Sequence, residues 1–190
     1  MPSWTKLGLA LCICAASPAR AGEIAGKVEA TPAKYLDETV VYVEKAPGTF
    51  APKTYKMDQK GMKFIPHVLA ITVGDTIQYL NSDGVDHNVY SPDNEGYNLG
   101  MFPKGQTRDQ VFKKQGVYSQ LCSVHPEMLA YVFVGQNPYA AVVGKKGQYK
   151  IEGVPPGQYT VAVWNSHLKA PPLSLTVTAG KAEANFSVKR

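Results

Sequence analysis

Gly116-Val-Tyr-Ser-Gln-Leu-Cys-Ser-Val-His-Pro-Glu-Met-Leu-Ala-Tyr-Val-Phe-Val134 reads as strand, short loop, strand, and the loop carries the chemistry. Cys122, His125 and Met128 stand at i, i+3 and i+6, so one tight loop gathers a thiol, an imidazole and a thioether between two β-segments. Upstream, the β-rich run Thr76-Ile-Gln-Tyr-Leu80 ends at Asn81, and Asp86-His87-Asn-Val89 follows it. A second imidazole therefore comes from a different β-segment. Singly these residues say little: Cys-x-x-His is common, a lone histidine or buried cysteine is usually structural, and a lone methionine most often fills a core. Their combination points to a metal centre.

The N-terminus sharpens that reading. A short basic start, Met1-Pro-Ser-Trp-Thr-Lys6, leads into the apolar run from Leu7 to Ala16, and Ser17-Pro-Ala-Arg-Ala21 follows. This is the pattern of a secretory signal peptide, with cleavage expected after Ala21. The run is too short for a membrane anchor, which needs roughly 20 apolar residues. Bulky Leu11 and Ile13 disfavour a lipid-linked Cys12 or Cys14. Cleavage removes Cys12 and Cys14 and leaves Cys122 alone. A sole cysteine in an exported chain is buried and inert, paired with another chain, or occupied as a ligand.

Two histidines and one cysteine with a weak axial methionine form the trigonal site of a blue-copper centre. Thiolate and thioether favour Cu(I), while imidazoles accept both oxidation states. Zinc competes for Cys and His, but its structural sites use four strong ligands and rarely methionine. The expected metal ligands are therefore His87, Cys122, His125 and Met128, holding one copper ion.

The remaining chain reads as all-β. Val40–Val43, Ile71–Val73, Thr76–Leu80, Tyr131–Val134 and Tyr159–Trp164 are short β-branched or alternating runs set between Gly, Pro, Asn and Asp. In the last of these, Tyr159, Val161 and Val163 share one face and Thr160, Ala162 and Trp164 the other. No apolar helical period exceeds about two turns. Many short strands with regular turns suggest a β-sandwich or Greek-key barrel. No repeat or low-complexity tract stands out.

Phe64-Ile-Pro66, Ile71-Thr-Val-Gly-Asp-Thr-Ile77, Tyr79-Leu-Asn81, Asp86-His-Asn-Val89, Gly116-Val-Tyr118 and Cys122-Ser-Val-His-Pro-Glu-Met128 resemble, in order, the plastocyanin-like cupredoxins, and the short ligand loop looks most like the amicyanin type. The resemblance covers roughly residues 53–136. It implies an eight-stranded Greek-key sandwich with copper at one end and an electron-transfer role. It also implies that His125 shows a ring edge to solvent inside an apolar patch, for which Met101, Phe102, Pro103 and Pro126 are candidates. Asn88 would tie the two ligand loops together, as its counterpart does in the family.

The tail, Gly147-Gln-Tyr-Lys-Ile-Glu-Gly-Val-Pro-Pro-Gly-Gln-Tyr-Thr-Val-Ala-Val-Trp164, resembles a small β-sandwich of the carboxypeptidase-regulatory type. Such modules open with strands like Ile24–Val28 and Thr39–Val43, which lie far upstream here. The expected division is a signal peptide at 1–21, a discontinuous sandwich of 22–47 and 138–190, and a cupredoxin domain at 48–137 inserted between its parts. The rival is a tandem in which 22–47 belong to the cupredoxin.

Cleavage after Ala21 removes Lys6 and Arg20 and no acidic residue, leaving 18 basic against 15 acidic side chains. That mild balance, with no Lys/Arg run, gives no case for nucleic acid. Four histidines are too few for a copper enzyme once His87 and His125 are ligands; His67 and His167 read as surface or satisfied groups. The leading expectation is a periplasmic or secreted carrier of single electrons, with a c-type cytochrome or periplasmic dehydrogenase as redox partner and no membrane span after cleavage. The alternative is a copper-binding protein for delivery or resistance, disfavoured because only Met57, Met62, Met101 and Met128 remain and form no Met-x-x-Met run. Lys104, Lys113 and Lys114 would suit an acidic partner, although a solvated basic surface explains them as well.

Overall fold

A computed structural model describes residues 21–190. The signal-peptide reading falls almost wholly outside these residues. The described chain is built from strands, with one short 3-10 segment, Ala33–Glu38.

Four sheets are present among the described residues. The first holds β1 (Gly22–Thr31) against β13 (Gln148–Val154), β16 (Lys181–Glu183) and β17 (Phe186–Lys189). The second runs β12 (Ala140–Val142), β2 (Thr39–Val43), β14 (Gly157–Asn165), β15 (Leu173–Val177). The third runs β5 (Val68–Thr72), β11 (Leu129–Gly135), β10 (Gly116–Leu121), β7 (His87–Ser91), β8 (Tyr97–Phe102). The fourth runs β4 (Phe64–Ile65), β3 (Thr54–Gln59), β6 (Thr76–Asn81), β9 (Thr107–Val111). Between β3 and β11 the chain crosses repeatedly from one of the last two sheets to the other. This gives nine strands where eight were expected, the extra one being the two-residue β4.

Side-chain alternation stacks the sheets. Successive residues of a strand point to opposite faces, and several strands here are apolar on both. In β2, Val41 and Val43 enter one core, while Val40 and Tyr42 enter another. In β11, Ala130, Val132 and Val134 face the core shared with β3 and β6, and Tyr131 and Phe133 face the opposite way. Tyr159, Val161 and Val163 of β14 join the first core and Trp164 the seam, as the sequence pattern requires. The seam between the second and third sheets is aromatic: Tyr42 and Phe133 lie 4.5 Å apart between ring centroids, and Tyr131 and Trp164 5.3 Å.

Among the described residues, the two strands before residue 47 pair only with strands beyond residue 138. β1 runs antiparallel to β13 and parallel to β17, and β2 lies between β12 and β14. Gly26 shows why glycine is needed in β1: a Cβ there would sit 1.9 Å from the Ala184 carbonyl oxygen. The two passages between the sandwiches run side by side. Gln136 Oε1 accepts from Ala46 N at 3.0 Å, and Asn137 Nδ2 donates to Val43 O at 2.9 Å.

Candidate metal centre

Three of the four expected ligands stand at strand ends, and His125 lies in the loop between two of them. His87 opens β7, Cys122 directly follows β10, and Met128 directly precedes β11. Pairing of β10 with both β7 and β11 brings these three ends to one edge of the sheet. The intervening loop closes on itself, with Met128 N donating to His125 O at 2.9 Å.

Three donor atoms converge. His87 Nδ1 lies 3.0 Å from His125 Nδ1, and Cys122 Sγ lies 3.8 Å from the first and 3.7 Å from the second. This is the one His/Cys/Asp/Glu set among the described residues with three such atoms within 4.8 Å of one another. For an ion bound to nitrogen at about 2.0 Å and sulfur at about 2.3 Å, angles near 100–120° place nitrogen about 3.1–3.5 Å from nitrogen and about 3.3–3.7 Å from sulfur. The observed spacings come within 0.1 Å of these ranges. His87, Cys122 and Met128 are buried, and His125 is partly exposed. Met128 shares the core that holds Cys122.

The hydrogen bonds around the site orient these ligands. Asp83 Oδ2 lies 2.9 Å from His87 Nε2. A carboxylate only accepts, so Nε2 carries the ring proton, and Nδ1 turns a lone pair toward Cys122 and His125. Asp83 is itself fixed by the hairpin joining β3 to β4. Gly61 N donates to its Oδ1 at 2.6 Å and Met62 N to its Oδ2 at 2.9 Å. Both residues have positive φ (63° and 54°), which points two successive amides at one carboxylate. Desolvation disfavours the Asp83 charge, but those amides and the His87 ring outweigh it and hold its carboxyl below the usual range. Sequence reading passed over Asp83; its position four residues before His87 was the available signal.

Asn88 performs the expected tie. Its Oδ1 accepts from Ser123 N at 2.7 Å and from Ser123 Oγ at 2.9 Å, joining β7 to the loop of the other ligands. The apolar surroundings of His125 differ in part from expectation. Phe102 is fully buried, because it faces inward from β8 opposite His87. Met101, Pro103 and Pro126 are exposed, and Val85 and Val124 join them at 50 % exposure each. His67 and His167 lie outside the cluster of donor atoms, on either side of Glu38.

The chain is similar to a reduced proline-to-phenylalanine mutant of amicyanin: 29 % identity over 42 % of this chain and 79 % of that one, with a TM-score of 0.40. A purple cupredoxin from Nitrosopumilus maritimus shares 29 % identity over 42 % of this chain and 98 % of its own, with a TM-score of 0.39. A copper-containing nitrite reductase from Thermus scotoductus shares 25 % identity over 50 % of this chain and 25 % of its own, with a TM-score of 0.43. The span 52–135, which holds all four expected ligands, matches the family model described as copper binding proteins, plastocyanin/azurin family.

Proposed function

We propose that this protein is an exported carrier of single electrons, with one copper ion held by His87, Cys122, His125 and Met128. The observation that carries the reading is the convergence of two imidazole nitrogens and one thiol sulfur in a buried pocket, with one imidazole reaching the surface. The chemistry a bound copper supplies is a one-electron change between Cu(I) and Cu(II).

The residues of the chain do the rest. Cys122 and the two lone-pair nitrogens would hold the ion most strongly, and Met128, from the adjoining core, would add a weaker donor. Asp83 and Asn88 hold the two ligand segments in fixed relation, so little rearrangement accompanies a change in charge. Val85, Met101 and Val124, exposed apolar side chains on the segments that carry or adjoin the ligands, give a partner an apolar surface to dock on. A c-type cytochrome or periplasmic dehydrogenase is the class of partner proposed. No described helix is long and apolar enough to cross a membrane.

A carrier is favoured over a catalyst because neither His67 nor His167 places a ring nitrogen among the three converging donor atoms, and both face Glu38. For the domain plan, we read residues 48–137 as a cupredoxin inserted into a sandwich of 22–47 and 138–190. The pairings of β1 and β2, and the adjacent passages at Ala46 and Gln136, support insertion over a tandem. The flanking sandwich then acts as a binding or spacing module.

The deciding experiment is the visible and electron paramagnetic resonance spectrum of the Cu(II)-loaded protein beside Cys122→Ala. An intense thiolate-to-copper band with narrow copper hyperfine splitting, both lost in the variant, is expected. A pale spectrum, or one indifferent to the substitution, would overturn the assignment.

A further inference from the structure

His67 lies between β4 and β5, outside the ligand set, yet both of its ring nitrogens are engaged. Nδ1 is 3.0 Å from the carbonyl oxygen of Leu129, the residue that follows Met128. The His67 backbone carbonyl accepts from Tyr131 N at 2.8 Å. One residue thus grips the start of β11 directly behind Met128. Its other nitrogen, Nε2, faces Glu38 Oε1 at 3.2 Å.

Glu38 belongs to the flanking sandwich, where it ends the 3-10 segment Ala33–Glu38. Its Oε2 accepts the Ser166 hydroxyl and lies 3.9 Å from His167 Nε2. Its side chain is 18 % exposed, against 42 % for His67, so this is a half-sheltered contact rather than a loose surface pair. His67 sets its ring edge against Tyr131 at 5.8 Å, and His167 packs on Tyr35 at 4.0 Å. The Leu129 carbonyl only accepts, so Nδ1 donates there. Both ring nitrogens thus face acceptors, the Leu129 carbonyl and the Glu38 carboxylate.

We propose that Glu38 and His67 are positioning residues for Met128, through which the flanking sandwich holds the backbone that carries the axial ligand. This rests on the assignment of Met128 as a ligand. The axial ligand is the weak bond of such a centre and tunes its potential, so a grip one residue away acts where the site is most adjustable. It also gives the flanking sandwich a part in the chemistry of its neighbour.

The test compares Glu38→Ala, His67→Ala and His67→Asn with the parent protein. The Asn amide is placed to keep the bond to Leu129 while losing Glu38. Hydrogen exchange at the Tyr131 amide is read in the copper-free protein, and the reduction potential in the copper-loaded one. Glu38→Ala and His67→Asn should each speed exchange at Tyr131 about three- to tenfold, as expected for one partly exposed hydrogen bond. Exchange at Val134 should not change. Both variants should shift the potential in the same direction, and His67→Ala further.

Wild-type exchange at Tyr131 in Glu38→Ala, equal acceleration along the whole of β11, or an unmoved potential in both single variants would each overturn the proposal. If the parent shows no thiolate band with copper, the copper assignment fails instead. Exchange in the copper-free protein still reports on the grip in that event, so the two failures are distinguishable.

Discussion

Replacing Asp83 with asparagine should damage the metal site more than removing the side chain altogether. In the native protein the carboxylate accepts three times: from Gly61 N at 2.6 Å, from Met62 N at 2.9 Å and from His87 Nε2 at 2.9 Å. Asparagine has one oxygen and an NH₂ group. If the oxygen stays on an amide of the hairpin, the NH₂ points at the His87 Nε2–H, donor against donor. The ring relieves this by moving its proton to Nδ1, the nitrogen that turns toward Cys122 and His125. Metal must then displace that proton. The lost charge-assisted bond alone is worth about 1.5–3 kcal/mol, which corresponds to about 10- to 100-fold in affinity, the usual scale for outer-shell changes. Alanine removes the acceptor without supplying a donor, and water can serve the ring, so its loss should be nearer tenfold or less. The assay is competition of the copper-free protein for Cu(I) against a chelator of known affinity, with circular dichroism to confirm the fold. The expected order of affinity is parent, then Asp83→Ala, then Asp83→Asn. An asparagine variant within twofold of the parent, or an alanine variant weaker than asparagine, would refute the tautomer argument.

Two further outcomes test the packing. Phe133→Ala empties a buried seam position beside Tyr42 and Trp164; it should cost about 3–5 kcal/mol and separate loss of the copper band from the Trp164 fluorescence change in denaturant, whereas a loss under about 1 kcal/mol would mean that the seam contributes little. Tyr118 is pushed up to about 12 by burial and by Glu95, so its neutral form is favoured in the fold. That contribution is fully present below the unfolded value near 10 and fades as pH rises from there toward 12, at up to about 1.4 kcal/mol per pH unit. Tyr118→Phe should therefore flatten the alkaline fall in stability measured by urea unfolding between pH 9 and 11.5; an unchanged slope would count against it.

The parts of this fold that were legible in sequence are those where one local pattern has one physical meaning. The loop from Cys122 to Met128 can bring its side chains together only if the flanking runs are paired strands, and β10 and β11 are paired throughout. Tyr159–Trp164 declared both of its faces because period-2 alternation leaves no other arrangement for it. What stayed hidden depends on contacts between distant segments. The role of Asp83 needs the hairpin at Gly61 and Met62, and nothing near Asp83 in sequence announces those amides. Phe102 was placed in the surface patch by its neighbours Met101 and Pro103, but the alternation of β8 turns it inward while Met101 turns out. His67 reads in sequence as a surface or satisfied histidine, and what satisfies it stays hidden because its partners, Glu38 and Leu129, lie 29 and 62 positions away.

The same contrast bears on why the site suits electron transfer better than metal release. Release requires a ligand that can swing away at small cost. Here His87 is tied through Asp83 to the β3–β4 hairpin and Cys122 is followed by Ser123, which is bound twice to Asn88. Met128 is anchored by the backbone turn to His125 and by the start of β11. Only His125 reaches solvent, and it lies between Cys122 and Met128 in a loop stiffened by Pro126. Opening such a site means breaking several hydrogen bonds at once across three strands. Passing an electron through the exposed ring edge breaks none of them.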